Sequence, residues 1–227
     1  MGKPVIEFQA REGYALWAAT YDRDPNPLLA LEQRVAARLL GKLAGLRVID
    51  VCAGTGRWMS IARSMGANVI GIDLSEQMLQ RAAEKPDLAG RIAGGDVSRL
   101  PFHDRAADLA ICSFGMSYVT CCAAAFRELA RVAQRVMVSD MHPAAKQAGW
   151  TRSFETASAT CRLTHHTHSF ETLEAAARDA GLSSESSVEA RFGEPERSIF
   201  AHARKEHLFA SVSHIPAIFV KTWRHPC

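Results

Sequence analysis

Three aspartates and a pair of glycines are the residues of this chain best suited to hold a polar organic ligand. Asp50 precedes the turn Gly54-Thr55-Gly56, and Asp73 and Asp96 follow it along the chain. Glycine allows positive φ and lets the backbone approach a ligand closely. A carboxylate such as Asp73 can accept hydrogen bonds from both hydroxyls of a ribose. These residue types at this spacing predict a site for a nucleoside.

Short buried strands must position these residues. Residues 46–51 and 69–73 are β-branched runs that are too short for buried helices and are bounded by glycine or an acid. A helix predicted over residues 57–64 lies between them and aims its free N–H groups toward the ligand. The order predicts a βαβ unit with a glycine turn after the first strand and Asp73 at the tip of the second.

The turn does not fit a dinucleotide fingerprint, because Met59 stands where the third glycine would be and Arg57-Trp58 are bulky. The whole set of motifs instead resembles the class I S-adenosylmethionine (SAM) methyltransferases, in particular the small-molecule branch typified by ubiquinone and menaquinone methyltransferases. The resemblance rests on four segments in order: Asp50 before Gly54-Thr55-Gly56, then Asp73-Leu74, then Gly94-Gly95-Asp96-Val97, then residues 107–114. It covers residues 10–140 well and the C-terminal third in outline.

The resemblance implies a fold and a cofactor. The expected fold is α/β, a Rossmann-like doubly wound seven-stranded sheet, mostly parallel with the last strand antiparallel, plus an N-terminal helical lid. The expected cofactor is SAM. The family's pocket implies these cofactor-binding residues: Tyr14, Tyr21, Asp50, Ala53, Gly54, Gly56, Asp73, Leu74, Asp96, Val97, Ser113 and Phe114. One departure is Cys52, where many members have glycine or alanine.

Two regions flank the predicted motifs. Residues 1–45 are predicted to form the helical lid, with an aromatic helix, a break around Pro25 and Pro27, and a second helix capped by Asn26. The resemblance places Tyr14 and Tyr21 over the methionine half of SAM; the alternative, that they only attach the lid to the core, is left open. Residues 46–227 are predicted to form the core, with an irregular substrate-side insertion near residues 141–168.

The composition narrows the class of protein. At 227 residues the chain is long enough for one domain with a lid, and its net charge of +3, without blocks of like charge, does not favour a nucleic-acid partner. Six cysteines lie at positions 52, 112, 121, 122, 161 and 227, none in a Cys-x-x-Cys pair. No apolar run is long enough for a signal peptide or a membrane span. We expect a cytoplasmic protein, with a homodimer as an open alternative to a monomer.

Two residues are candidates for catalysis. His142 follows the fifth predicted strand at the edge that borders the substrate space, and its unperturbed pKa suits a general base near neutrality. Tyr21 is the second candidate for accepting a proton. The competing interpretation of His142 is that it only forms hydrogen bonds within its loop. His165, His166 and His168 lack acidic partners at ligand spacing, so no metal site is predicted.

The main functional hypothesis is methyl transfer from SAM to a small-molecule acceptor through an oxygen, nitrogen or carbon nucleophile. A second is a SAM-fold enzyme of other chemistry. A third is a non-catalytic SAM-fold subunit that activates a partner. The acidic and glycine residues of the predicted pocket are intact, which disfavours the third hypothesis because an inactive subunit need not keep them.

Overall fold

The computed structural model describes residues 3–23 and 25–226; Asp24, within the predicted helix break, and Cys227 lie outside the described residues. The strands are β1 (Val5–Phe8), β2 (Arg47–Val51), β3 (Asn68–Asp73), β4 (Ile92–Gly94), β5 (Ala107–Ser113), β6 (Ala133–Met141), β7 (Arg152–Glu155), β8 (Thr160–Leu163), β9 (Ser183–Ala190) and β10 (Ile218–Arg224). The α-helices are α1 (Ala10–Trp17), α2 (Pro27–Leu40), α3 (Arg57–Ser64), α4 (Glu76–Ala83), α5 (Cys122–Val132), α6 (Pro143–Gln147), α7 (Phe170–Asp179), α8 (Glu194–His202) and α9 (Glu206–Val212), with a short 3-10 helix at Met116–Tyr118.

Seven strands form the central sheet in the order β4-β3-β2-β5-β6-β10-β9. The pairs from β4 to β6 are parallel, whereas β10 runs antiparallel to both β6 and β9. The predicted fold class, including the antiparallel last strand, is confirmed. The strand order reverses between β2 and β5, and ligands of such sheets bind in the crevice that this reversal opens at the carboxyl ends of the strands.

Helices cover both faces of this sheet. Side chains alternate along β2, so Val48 joins a core cluster with Leu31 of α2, while Ile49 joins the opposite cluster with Phe126 of α5. Leu31 and Phe126 are both fully buried. Burial of such a side chain contributes roughly 1.5–3 kcal/mol, so the two apolar layers fix the strand tips around which the polar residues gather.

The N-terminal region is more than a helical lid. The predicted helix α2 begins as expected, since the Asn26 side chain accepts the Leu28 N–H at 2.9 Å and Pro27 occupies the first turn. Before the aromatic helix α1, however, β1 pairs in parallel with β8. The pattern of β1 was missed because four residues give too short a period to recognise, and its partner lies far away in the chain.

The segment near residues 141–168 is ordered, which corrects the expectation of an irregular insertion. It contains α6 and the antiparallel hairpin of β7 and β8. Together with β1, the hairpin forms a separate three-stranded sheet in the order β1-β8-β7. Between β9 and β10 the chain forms two separate helices, α8 and α9.

Within the described residues, no helix combines the length and the apolar character needed to cross a membrane. The five described cysteines are free thiols.

Candidate functional site

A cavity of about 490 Å³ lies at the carboxyl ends of the central parallel strands. That volume falls within the roughly 300–1,000 Å³ typical of small-molecule sites. Its wall contains eleven of the twelve predicted cofactor-binding residues: Tyr14, Tyr21, Asp50, Ala53, Gly54, Asp73, Leu74, Asp96, Val97, Ser113 and Phe114. Residues from four strand ends and from the N-terminal region therefore meet at one place.

Asp73 is held in a fixed orientation beside the glycine turn. Its Oδ2 accepts the Gly54 N–H and its Oδ1 accepts the Ser75 N–H, both at 2.7 Å. Burial raises the pKa of Asp73, and the backbone N–H donors partly offset that effect. Each carboxylate oxygen keeps a further lone pair, so Asp73 can still accept hydrogen bonds from a vicinal diol.

Gly56 is the predicted residue that does not line the cavity. It has φ of +79° and is the N-terminal boundary residue of α3. A Cβ at Gly56 would collide with the side chain of Leu88. Helix packing and the left-handed turn explain why glycine stands here, and its predicted role in cofactor binding stays a prediction.

Asp96, Val97 and Leu74 line the cavity beyond the Asp73 carboxylate. The Oδ1 atom of Asp96 accepts the Ser98 N–H at 2.8 Å and the Ser98 hydroxyl at 2.7 Å, which leaves Oδ2 without a described partner. Leu74 is 57% exposed and lines the cavity. An apolar wall beside a free acceptor oxygen suits a flat heterocycle with an amino group.

Asp50 is the most perturbed acid of the cavity. It is 2% exposed, and its Oδ2 has no hydrogen-bond partner in the described structure. Burial raises its pKa from the ordinary 3.8 to about 8, while the charge of Arg57 opposes the shift. An unpaired buried carboxylate in a cavity wall favours a bound cation.

A network around Arg57 was not predicted from the sequence. Its Nη2 donates to Glu32 at 2.7 Å and to Ser113 at 2.9 Å, while its Nη1 is buried without a partner. Glu32 is fully buried and also accepts from Trp58 and Ser139. In the sequence, Arg57 stood out only as a bulky residue after the glycine turn. Glu32, which lies within the apolar pattern of α2, was not singled out.

The departure at Cys52 is accommodated by the loop after β5. Cys52 has φ of +60°, a left-handed conformation that is uncommon outside glycine. A Cβ at Gly115 would lie 2.6 Å from the Cβ of Cys52 and 2.7 Å from its sulfur. The lack of a side chain at Gly115 therefore makes room for the thiol beside the cavity.

Tyr14 and Tyr21 lie in the cavity wall and also bind the second sheet, so the two interpretations of these residues are compatible. Arg152, the first residue of β7, donates from Nη2 to both tyrosine hydroxyls at 3.3 Å. The Tyr14 hydroxyl also donates to that of Tyr118 at 3.1 Å. Neither Arg152 nor Tyr118 was singled out from the sequence, because both sit in segments without a motif.

Asp22 ties the lid to the glycine turn. Its Oδ1 accepts the Thr55 hydroxyl at 2.7 Å, and its Oδ2 lies 2.8 Å from Lys85 Nζ. Lys85 in turn donates to the Thr55 carbonyl at 2.7 Å. This latch connects the N-terminal region, the turn after β2 and the segment that follows α4.

The structure does not bring His142 to the cavity. It is 7% exposed; its Nδ1 accepts the Ala144 N–H at 3.0 Å, and its Nε2 lies 2.9 Å from Glu189. The ring also meets Phe170 edge-on, with centroids 5.4 Å apart. These contacts make His142 the N-cap of α6, which agrees with the competing interpretation; its role as a base stays an untested prediction.

The histidine cluster is also used within the protein. His165 lies 3.3 Å from Lys146 Nζ, and His168 Nε2 lies 2.9 Å from the Val119 carbonyl. In the described part of the chain, no group of three His, Cys, Asp or Glu side chains is arranged to hold a metal ion.

Comparison with known proteins agrees with this geometry. A family profile described as a methyltransferase domain matches residues 48–136. Demethylmenaquinone methyltransferase from Staphylococcus aureus (strain MRSA252) is 34% identical over 122 residues, which are 49% of this chain and 50% of that protein. The chain thus spans about half the length of the curated relatives it matches.

Solved structures share the fold across most of the chain. A SAM-dependent methyltransferase from Mesorhizobium loti aligns with a TM-score of 0.66 and 23% identity over 87% of this chain and 100% of its own. The cyclase SpnF aligns with a TM-score of 0.62 and 20% identity over 100% of this chain and 99% of its own. At such identities these likenesses establish the fold alone.

Proposed function

We propose, since this chain belongs to the class I SAM-dependent methyltransferase family, that it transfers a methyl group from SAM to a small-molecule acceptor. The observation that carries the proposal is the pair of unsatisfied buried atoms, Asp50 Oδ2 and Arg57 Nη1, in residues that line one cavity. Their charges are complementary to the ammonium and the carboxylate of an amino acid. The methionine portion of SAM carries both groups.

The other residues of the cavity fit the rest of the cofactor. Asp73 offers its remaining lone pairs to a ribose, held in place by the N–H groups of Gly54 and Ser75. Asp96 and Leu74 offer an acceptor and an apolar surface to an adenine. When bound, SAM supplies a methyl group already activated by a sulfonium.

The chain's own contribution is then orientation and the exclusion of water. Asp50, Arg57 and Asp73 fix the donor from opposite ends, and alignment of two reactants can supply a large part of a rate enhancement. Tyr14 and Tyr21 line the cavity, and a lid that carries them would limit the access of water to the reacting groups. A protein base is required only where the acceptor arrives protonated.

Calorimetry with SAM and its demethylated product S-adenosylhomocysteine (SAH) tests the cofactor assignment. Asp73→Ala removes a charged acceptor and the anchor of the glycine turn, so we expect SAM affinity to fall by about 2–3 kcal/mol, roughly 30- to 150-fold. Asp179→Ala, at an exposed helix end far from the cavity lining, is the matched control and should bind like the parent. Unchanged affinity in Asp73→Ala would remove the ribose assignment.

A SAM-fold enzyme of other chemistry is the second candidate, because the cyclase SpnF matches this chain over its full length. Formation of SAH from SAM in the presence of acceptor pools distinguishes the two. Stoichiometric SAH and a product heavier by one methylene support methyl transfer. Turnover of an acceptor without SAH supports the other chemistry, and SAM binding without any turnover supports a non-catalytic subunit.

A further inference from the structure

Arg152 is a buried cation with an incomplete set of partners. It is 6% exposed, and its Nε and Nη1 atoms are buried without a hydrogen-bond acceptor among the described residues. Its Nη2 donates to the hydroxyls of Tyr14 and Tyr21. A guanidinium cannot shed its charge in a protein, so burial does not neutralise it.

No carboxylate compensates this charge by a direct ion pair within residues 3–23 and 25–226. The guanidinium instead lies 4.9 Å from the centroid of the Phe114 ring and 5.9 Å from that of Trp17. Asp140 acts on it at longer range, and its two oxygens already accept the Ser117 and Met141 N–H groups. Arg57, by contrast, has the buried carboxylate of Glu32 at 2.7 Å.

Asp140, which acts on Arg152 at longer range, and His165, which the charge of Arg152 reaches, are titratable groups near this guanidinium. Lys146 Nζ lies 3.3 Å from His165 Nε2. The pKa of His165 is lowered, first by burial and then by the charges of Lys146 and Arg152. Buried charges are ordinarily paired, because an unpaired one is costly. The missing counter-charge is therefore best supplied by a ligand.

Two tyrosines link Arg152 to the cavity through hydrogen bonds. Tyr21 accepts from Arg152, and Tyr118 accepts from Tyr14, so the protons of Tyr21 and Tyr118 have no acceptor among the described residues. Both rings line the cavity. Burial raises the pKa of Tyr14 and of Tyr118, which keeps these hydroxyls protonated as donors. A hydroxyl donor polarised by a nearby cation binds an anionic oxygen more strongly than it binds a neutral oxygen.

We propose that the acceptor carries an ionised oxygen, a carboxylate or an ionised phenol or enol, which the Tyr21 and Tyr118 hydroxyls bind with Arg152 behind them. This inference rests on the proposed methyl transfer and names its substrate class. An amine acceptor is disfavoured, because methylation of a neutral amine leaves a cation on the product nitrogen beside Arg152. An acceptor that arrives ionised also needs no base, which accords with the placement of His142 outside the cavity.

Binding of small probes to the SAH-saturated protein tests the proposal. The probes are benzoate, 4-nitrophenolate, the neutral benzamide and the cationic benzylamine, each titrated by NMR or calorimetry. We expect at least one anion to bind about tenfold more tightly than benzamide and benzylamine, as for a charge-assisted hydrogen bond. Benzoate and 4-nitrophenolate together decide between a carboxylate and an ionised hydroxyl. Binding of neither anion, or equal binding of benzylamine, overturns the proposal.

Variants separate recognition of charge from a structural role. Arg152→Met should reduce the preference for the anion over benzamide to about threefold or less, with SAH affinity unchanged. Arg152→Lys should retain part of that preference. The matched control is Arg162→Met on the neighbouring strand, whose guanidinium pairs with Glu7 at 3.3 Å and which should keep the full preference.

Tyr21→Phe and Tyr118→Phe provide a second route if Arg152→Met does not fold. Each substitution should reduce the affinity for the anion severalfold more than the affinity for benzamide. An anion preference that is intact in both tyrosine variants overturns the proposal. SAH affinity is measured in every sample, so failure of SAH to bind counts against the proposed function, whereas SAH binding without anion preference counts against this inference alone.

Discussion

Two arginines at the cavity, the half-buried Arg57 in its wall and the buried Arg152 hydrogen-bonded to the cavity-lining Tyr21, have opposite electrostatic situations. Arg57, at the cofactor end, shares a network with the buried carboxylate of Glu32. Arg152, at the acceptor end, has tyrosine hydroxyls and aromatic rings around it and no ion pair among the described residues. The comparison teaches that Arg57 has a carboxylate partner before any ligand binds, whereas Arg152 has none among the described residues and, under our proposal, selects an anionic ligand.

Matched substitutions of the two arginines give the largest expected effects. Arg57→Met leaves the fully buried Glu32 without its cation, and breaking a buried pair in this way costs about 3–5 kcal/mol. Arg152→Met removes no direct ion pair, and the buried Asp140 keeps backbone N–H donors on both oxygens, so the free energy of unfolding of the ligand-free protein should fall by less than about 1 kcal/mol or rise. Urea denaturation of both variants measures the difference. Equal losses in the two would contradict the contrast between the ends.

Asp50 makes the cofactor end sensitive to pH. Its pKa of about 8 means that most of the ligand-free protein carries a proton there at neutral pH. Binding a cation must displace that proton, so SAM affinity should fall by up to about tenfold for each pH unit from 7.5 to 6. Asp50→Asn should bind SAM weakly and without this pH dependence. Titrations at four pH values measure the slope, and a flat profile in the parent would exclude Asp50 as the cation's partner.

The raised pKa of Asp50 also predicts that the stability of the ligand-free protein depends on pH, in the direction opposite to that of SAM affinity. The folded pKa lies above the ordinary 3.8, so the folded state binds more protons between about pH 4 and 8. The free energy of unfolding contributed by Asp50 is therefore greatest at low pH and falls as pH rises through that window. Asp50→Asn should raise the melting temperature of the ligand-free protein at pH 7.5 while weakening SAM binding. A variant less stable than the parent at that pH would argue against the raised pKa.

Removal of the latch formed by Asp22 should have a moderate effect on hydrogen exchange in the N-terminal region. Asp22→Ala removes the Thr55 hydrogen bond and the Lys85 ion pair, together worth about 1–2 kcal/mol near a surface. We expect faster hydrogen exchange in residues 10–23, because the lid loses its tie to the glycine turn. SAH should slow exchange there in the parent, as for a lid that orders on binding. Asp22→Asn keeps an acceptor for Thr55, so its exchange rates should fall between those of the parent and of Asp22→Ala. Equal exchange in the parent with and without SAH would count against a lid.

The smallest effect is expected at His142. Its ring caps α6 and contacts Glu189 outside the cavity lining, so His142→Ala should cost about 1 kcal/mol of stability and leave turnover close to the parent's. A positioned base would instead lose roughly 10²–10⁴-fold in rate. Turnover with the identified acceptor across pH 6–9 decides between these outcomes, and a loss that shrinks as pH rises would restore the base assignment.

The cofactor end could be predicted because its signals are local. Asp50, the glycine turn and Asp73 belong to one βαβ unit, and parallel strands bring their carboxyl ends together by geometry alone. The partner of Arg57 could not be predicted in the same way. Glu32 lies 25 residues upstream in a helix whose apolar pattern indicated only a core face. The available signal in the sequence was an acidic residue on the apolar face of a predicted helix, since such a residue needs a partner when it is buried.

The acceptor end could not be predicted because its contacts join distant segments. Arg152 lies 138 residues from Tyr14 and 131 from Tyr21. The hairpin that carries it is short, and β1 completes its sheet from the other end of the chain. Strand pairs of this kind are stabilised by cross-strand contacts rather than by a strong local pattern, so the segment looked irregular in sequence.

By itself the sequence determined the class of fold and most of the residues that meet in the cavity wall, since strand tips and glycine turns are specified by near neighbours in the chain. Only the tertiary structure decided the charge of the acceptor end. Whether Arg152 is paired depends on which side chains pack around it after folding. A buried guanidinium without a counter-ion is a property of that packing, because burial and pairing together set the electrostatic energy of a charge.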